Sequence, residues 1–249
     1  MPMSIEPPER PRGNHTTGCA KAAVTLQAEN QARAATPRFG TWTVLAFALW
    51  GLAVAAGSFY GFWYEITPAE TDVALAGWPA GSACVLAADR PTLLMFVHPR
   101  CPCSRSSVSE LAVLIARCQD RMDAQVLFYK APASPEDWAT TDLWHSAARI
   151  PGVVPRVDVA GAERRLFGAS VSGEVFLFQP GGELSFHGGI TAGRGHAGDN
   201  QGRSALESIL LNRHSPSTTA PVYGCALESP TSLQQNTPPP VMRRRNHEL

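Results

Sequence analysis

The chain has 249 residues and balanced charge, with 21 Lys and Arg against 21 Asp and Glu. That balance gives no electrostatic case for nucleic-acid binding, so no nucleic acid is expected among its partners. The length allows one domain of ordinary size plus extra segments, and its six cysteines are too scattered for a disulfide scaffold.

Residues 1–38 contain Pro7, Pro8, Pro11, Gly13 and Pro37 and little apolar periodicity. Such a segment cannot bury enough surface to offset chain entropy and is read as a disordered, cytoplasmic N-terminus, with Cys19 a free thiol. Residues 39–64 carry no charge and exceed the ~20 residues needed to cross a bilayer. Trp42 near one end and Tyr60, Trp63 and Tyr64 near the other suit the two membrane interfaces. A buried core helix and a cleaved signal peptide are the alternatives. The stretch is longer than a signal core of about 7–15 residues, which favours an uncleaved transmembrane helix. Arg10, Arg12, Lys21, Arg33 and Arg38 precede it, and no Lys or Arg follows until Arg90. The positive-inside rule then leaves the N-terminus in the cytoplasm and the rest outside, in a bacterium the periplasm. Disulfide chemistry belongs in that compartment.

Residues 65–91 read as a linker. Within it Ala83 to Ala87 suits a short edge strand, and Cys84 is either part of that strand or a small buried hydrophobe. Thr92 to Val97 is an apolar run bounded by Pro91 and Pro99, as expected of a strand buried on both faces. A turn with Cys101, Pro102 and Cys103 follows. Val108, Leu111, Ala112, Ile115 and Cys118 then recur at helical spacing, with Arg105, Glu110 and Arg117 on other positions. Pro102 fits the first helical position and pushes Cys101 into an extended, cap-like conformation. A thiol at a helix N-terminus meets unpaired N–H groups and the positive end of the dipole, and both favour the reactive thiolate. His98, Arg100 and Arg105 add positive charge nearby. Cys101, nearer the exposed tip, is the candidate nucleophile and Cys103 the candidate resolving thiol. One intervening residue makes a tighter ring than the usual two, and a strained disulfide is the more easily reduced. Two other readings stay open. The pair is inert or structural, or Cys101, Cys103 and His98 hold a soft metal such as copper, with His196 a further ligand candidate. The exchange chemistry itself needs no cofactor.

Ala124 to Lys130 reads as the second strand. Ser134 or Pro135 opens a second helix running to Ile150, with Trp138, Leu143 and Trp144 inward. Val153 to Val159 suits a crossover strand and Ala162 to Phe167 a short helix. Glu174 to Gln179 and Glu183 to His187 flank Pro180-Gly181-Gly182 as a hairpin. The last helix spans about Gly202 to Leu211 and buries Leu206, Ile209 and Leu210. Residues 213–249 read as a mostly disordered tail with Pro238 to Pro240 and Arg243 to Arg245. Pro221 to Leu227 is the exception, because Cys225 becomes a further redox candidate if it folds back toward Cys101 or Cys84.

His98 to Arg105, Phe167 to Gly173, Gly188 to Asn200 and Val222 to Cys225 together resemble the thioredoxin-like superfamily, and within it a bacterial RedB-type group. The resemblance covers roughly Trp63 to Leu227. It implies a three-layer sandwich, a central mixed sheet flanked by helices over residues 92–212, behind one transmembrane helix. It also implies thiol–disulfide exchange with protein thiols and disulfides through Cys101 and Cys103. In this fold a cis-proline usually precedes the third core strand and faces the cysteines. Ser172-Gly173 stands there instead, which weighs against generic exchange with protein substrates. The resemblance also implies that the strand after the hairpin runs parallel to the cysteine strand, so the loop Gly188 to Gly202 is expected to leave at the same sheet edge as Cys101. Arg194 is then a candidate thiolate or anion partner and His196 a candidate proton donor or metal ligand. The plainer alternative is that Asp199 or Asn200 caps the last helix. A copper-handling protein and a non-catalytic binding module are the rival function classes.

Overall fold

The computed structural model describes residues 40–71, 75–213 and 217–228. The N-terminal segment with Cys19 and the proline and arginine runs of the C-terminus lie outside the described residues. The described residues divide into two units between Ser58 and Phe59.

Helix α1, Thr41–Ile66, has 26 residues and none of them is buried. Apolar side chains cover its whole circumference, Trp42 at 82%, Trp50 at 66% and Phe59 at 68% exposure among them. A helix apolar all round has the surface that a membrane span requires. α1 is long and apolar enough to cross a membrane.

The α/β unit follows from strand alternation. β1 (Thr92–Val97) is buried at every position. Leu93, Met95 and Val97 join one core, and Leu94 and Phe96 join the other. This period of two is what a strand sandwiched between two layers requires. The first core takes α2 (Ser104–Arg117), α3 (Asp142–Ala148) and α5 (Gln201–Leu210) through Leu111, Leu143 and Leu206. The second takes α4 (Ala162–Phe167) through Phe167, together with Trp78 and Leu227. The remaining strands are β2 (Asp123–Lys130), β3 (Val153–Val159), β4 (Glu174–Phe178), β5 (Leu184–Gly189) and β6 (Thr219–Ala220). They form a six-stranded mixed sheet in the order β3-β2-β1-β4-β5-β6. β2 is parallel to β1, β4 antiparallel to it, and β5 antiparallel to β4, so β5 runs with β1. The expected three-layer sandwich is therefore present.

The second helix is not continuous. A 3₁₀ turn at Glu136–Ala139 and α3 are separated by Thr140 and Thr141, the latter extended at φ −104°, ψ 178°. β-branched residues resist a helix, and the Thr141 hydroxyl instead donates to Pro99 O at 3.1 Å, tying this break to the cysteine turn. The segment 83–87 is not a strand either. Val85 exchanges hydrogen bonds with the Gln125 side chain, 3.3 Å and 2.6 Å, in place of a ladder. Cys84 is buried, its thiol pushed up to about 12 chiefly by desolvation.

Two stretches read as linker and tail join the domain. Trp78 packs edge-on against Phe167 and Phe178 at 5.2 and 5.1 Å between ring centroids. Gly77 bridges to Glu183 and Ala69 to Val222. β6 adds to the sheet beyond β5, and a side chain at Gly189 would stand 2.6 Å from Pro221 O. Glycine there is what lets the returning chain approach this closely.

Candidate active site

The site starts at the end of β1. His98 N–H donates to Ser172 Oγ at 2.7 Å, and Cys101 N–H to His98 O at 3.1 Å. Ser104, Arg105 and Ser106 N–H groups then donate to Cys101, Pro102 and Cys103 carbonyls at 3.2–3.3 Å. These tight turns wind the chain into α2, with Cys103 at the helix cap in a helical conformation, φ −64°, ψ −29°. Ser104 is fully buried, and its hydroxyl shares a 2.6 Å hydrogen bond with the Ser172 hydroxyl. Ser172-Gly173 is thereby fastened against the cysteine turn, Gly173 N–H donating to Phe96 O at 2.8 Å.

The returning segment supplies the third component. Ser172 N–H donates to Cys225 O at 2.8 Å, Leu227 N–H to Ser170 O at 2.9 Å, and Val171 bridges antiparallel to Ala226. Cys225 is laid alongside residues 170–172 as a short extended strip. Gly224 is needed in that strip, because any side chain there would overlap Ser172 O. The result is a cluster in which the sulfurs of Cys101, Cys103 and Cys225 all lie within 4.8 Å of one another.

Protonation in the cluster is asymmetric. Burial pushes the Cys101 thiol upward. Hydrogen bonds from Ser104 and Cys225, each through both side chain and backbone, outweigh it and hold the Cys101 thiol below the ordinary cysteine value. Burial and then the Cys101 charge push Cys103 up. Cys225 is pushed up to about 12, by burial first and then by donating to Cys101. Of the three sulfurs Cys101 is therefore the one that ionises first, with Cys103 and Cys225 held toward the thiol form. Cys101 is 5% exposed and Cys103 more open, the reverse of the exposure expected from their order along the turn.

The remaining predicted residues are placed as follows. The His98 ring lies edge-on to Trp138 at 5.5 Å and over Tyr129 at 6.1 Å, and its Nδ1 accepts from Arg100 N–H at 3.2 Å. Burial and the Arg100 charge lower its pKa, so it brings a neutral ring and no added positive charge. Arg100 sits over Trp138, and Arg105 faces Asp142 at 3.5 Å in the open. Arg194 donates to Gly224 O, to Tyr64 O at 3.0 Å and to Thr67 O at 3.2 Å. Its guanidinium acts on Cys103 as a charge and on Cys225 as a clamp on the neighbouring carbonyl. His196 is exposed, with Nδ1 on Arg194 O at 2.9 Å and Nε2 3.8 Å from Glu65 Oε2. Neither His98 nor His196 belongs to the sulfur cluster. Asn200 Oδ1 accepts from Arg203 N–H at 2.8 Å and caps α5.

The sequence reading left Glu110 on the polar side of α2, yet it is 3% exposed. Its carboxylate accepts from Gly198 N–H at 2.7 Å, Asn200 Nδ2 at 3.3 Å and Arg203 Nη1 at 2.7 Å. The cysteine helix thereby anchors the Gly188–Gly202 loop, and the loop holds Arg194 in place. Nothing local marks Glu110 for burial; a lone acid among helix residues reads as surface. Glu174 is similarly hidden in β4, accepting from Ser170 and Val171 N–H at 2.9 and 3.1 Å and pairing with His187 at 2.7 Å.

No family model matches the chain, and no curated protein matches it. Among solved structures, a hypothetical protein from Sinorhizobium meliloti 1021 is similar with a TM-score of 0.50 and 19% identity, over 63% of this chain and 96% of that one. An uncharacterized conserved protein from Geobacillus kaustophilus has a TM-score of 0.49 and 15% identity, over 66% and 93%. The exposed lipoprotein thioredoxin of Streptococcus pneumoniae has 0.39 and 13%, over 55% and 98%. At these identities the likeness is one of fold alone, and the RedB-type resemblance rests on the sequence motifs.

Proposed function

We propose that this chain, thioredoxin-like in fold, performs thiol–disulfide exchange from a membrane anchor. The observation that carries the reading is the set of Ser104 and Cys225 donors converging on Cys101 and lowering its pKa. The Cys101 thiolate attacks one sulfur of a partner disulfide, forming a mixed disulfide and releasing a partner thiolate. Cys103, giving up its proton, attacks the Cys101 sulfur and releases the second partner thiol. The chain loses two electrons and the partner gains them. The Ser172 N–H, on the edge where a bound chain would pair, is already taken by Cys225 O. That supports a small or specialised disulfide substrate over a generic protein one.

Limiting iodoacetamide at mildly acidic pH, read by peptide mass, is expected to mark Cys101 before Cys84, Cys103 or Cys118. A depressed pKa keeps the thiolate as pH falls through the ordinary cysteine value, and reactivity drops only at the lower folded value. By linkage the same shift stabilises the reduced fold above the ordinary value, and this is lost as pH falls through the folded one. Arg194→Ala, which frees the Gly224 carbonyl, is expected to move that profile upward, and His196→Ala to leave it in place. Equal labelling of all thiols sinks the assignment of the nucleophile.

We place α1 as an uncleaved anchor with the N-terminus in the cytoplasm and the domain outside. The lack of any Lys or Arg between Arg38 and Arg90 supports this. A phosphatase reporter active only outside the cytoplasm, fused after Leu227, is expected to give signal. Signal from a cytoplasm-only reporter at the same junction reverses the topology.

A further inference from the structure

The proposed exchange uses two of the three clustered thiols, and the third is held with more structure than a bystander requires. Arg194 grips the Gly224 carbonyl, Gly224 closes on Ser172 O, and bridges at Val222 and Ala226 fix both sides of Cys225. The Cys225 thiol and N–H both donate to the Cys101 sulfur. Cys103, by contrast, caps the helix only two residues after Cys101, so a bond between them closes a very small ring although both sulfurs lie in the cluster. A disulfide has demanding geometry, and a ring with one intervening residue meets it poorly. Cys225 arrives from a separate strip and closes no small ring.

Resting on the exchange reading, we propose that the oxidised chain rests as a Cys101–Cys225 disulfide, with the Cys101–Cys103 bond its short-lived precursor. The step is a swap. The Cys225 thiolate attacks the Cys101 sulfur of the Cys101–Cys103 bond, a new S–S bond forms, and Cys103 leaves as a thiolate that takes up the proton Cys225 lost. No electrons enter or leave, because the two were taken up earlier by the partner disulfide. Burial holds the Cys225 thiol up, but its second cause, donation to an ionised Cys101, vanishes once that sulfur is in a disulfide. Cys103, the more open sulfur, is then returned to the thiol form at the mouth of the site. The third cysteine thereby makes the C-terminal strip part of the redox site and closes a loop spanning most of the domain.

The test uses the full chain in detergent micelles, oxidised with diamide, a two-electron thiol oxidant that does not depend on the chain's own exchange activity. After alkylation and trypsin digestion, the peptide from Cys101 to Arg105 is expected to be joined to the peptide carrying Cys225, in the wild type and in Cys103→Ser. Closing so long a loop restricts the unfolded chain. Oxidised wild type and Cys103→Ser are therefore expected to melt several degrees above their reduced forms, and Cys225→Ser to show no such rise. Circular dichroism of each reduced variant confirms that it is folded. A Cys101–Cys103 bond with free Cys225 in the fully oxidised wild type overturns the proposal, as does a Cys103→Ser chain that forms no link to Cys225. Reduction of a small-molecule disulfide, assayed separately, reports on the exchange reading, so the two can fail independently.

Discussion

Cys101→Ser is expected to abolish disulfide exchange, with a loss of at least about a thousandfold, while the protein stays folded. A serine hydroxyl keeps its proton at working pH, so the donors converging from Ser104 and Cys225 have no thiolate to stabilise. The oxygen still accepts those hydrogen bonds, and the turn held by His98, Ser104 and Ser172 is unchanged. Cys103→Ser is expected to behave differently: the first attack proceeds and the mixed disulfide is resolved by another route or accumulates. Turnover of a small-molecule disulfide, with trapping of the mixed disulfide on a non-reducing gel, separates the two variants. A Cys101→Ser chain that keeps a tenth of the wild-type rate removes Cys101 from the role of nucleophile.

Glu110→Ala is expected to cost about 3 kcal/mol of stability, since it removes the fully buried counter-charge of a buried cation. Arg203 has a side chain 4% exposed and Glu110 at 3% is its most buried partner; of the other two carboxylates that contact it, Glu207 is 20% and Asp199 99% exposed. The same substitution removes the acceptor of Gly198 N–H, while Asn200 Nδ2 keeps Gly198 O at 2.9 Å. For a domain of this size the melting temperature then falls by roughly 10 °C. Because Glu110 holds the loop that carries Arg194, the variant is also expected to loosen the Gly224 carbonyl and raise the Cys101 pKa. Asp199→Ala, at the exposed end of the same network, is the control, with an expected cost of under about 1 kcal/mol. Thermal melts of the two variants decide the matter: equal, small losses mean that Glu110 is not the anchor of the loop.

The elements that the sequence by itself determined are those whose signal is local. An uncharged run beyond bilayer thickness marks α1, and a six-residue apolar run between prolines marks β1. Helical spacing after Cys103, and the turn at Pro180 to Gly182, mark α2 and the hairpin. The thioredoxin-like resemblance, through the strand direction it implies, placed the Gly188–Gly202 loop at the cysteine edge, and Asn200 as a cap was readable from its type and position. What only the tertiary structure decided depends on which distant surfaces meet. Glu110 is buried because Arg203 and Gly198, distant in sequence, arrive with α5 beside α2 on the same face of the sheet, and no periodicity in α2 encodes their arrival. The helix after β2 breaks at Thr141 because its hydroxyl finds Pro99 O. Cys225 joins Cys101 and Cys103 because β6 pairs with β5 and Arg194 clamps Gly224. Residue spacing encodes a helix or strand within a few turns of chain; the partners of a buried charge or a reactive sulfur are set by long-range contacts whose closure entropy is recovered only when the whole domain packs.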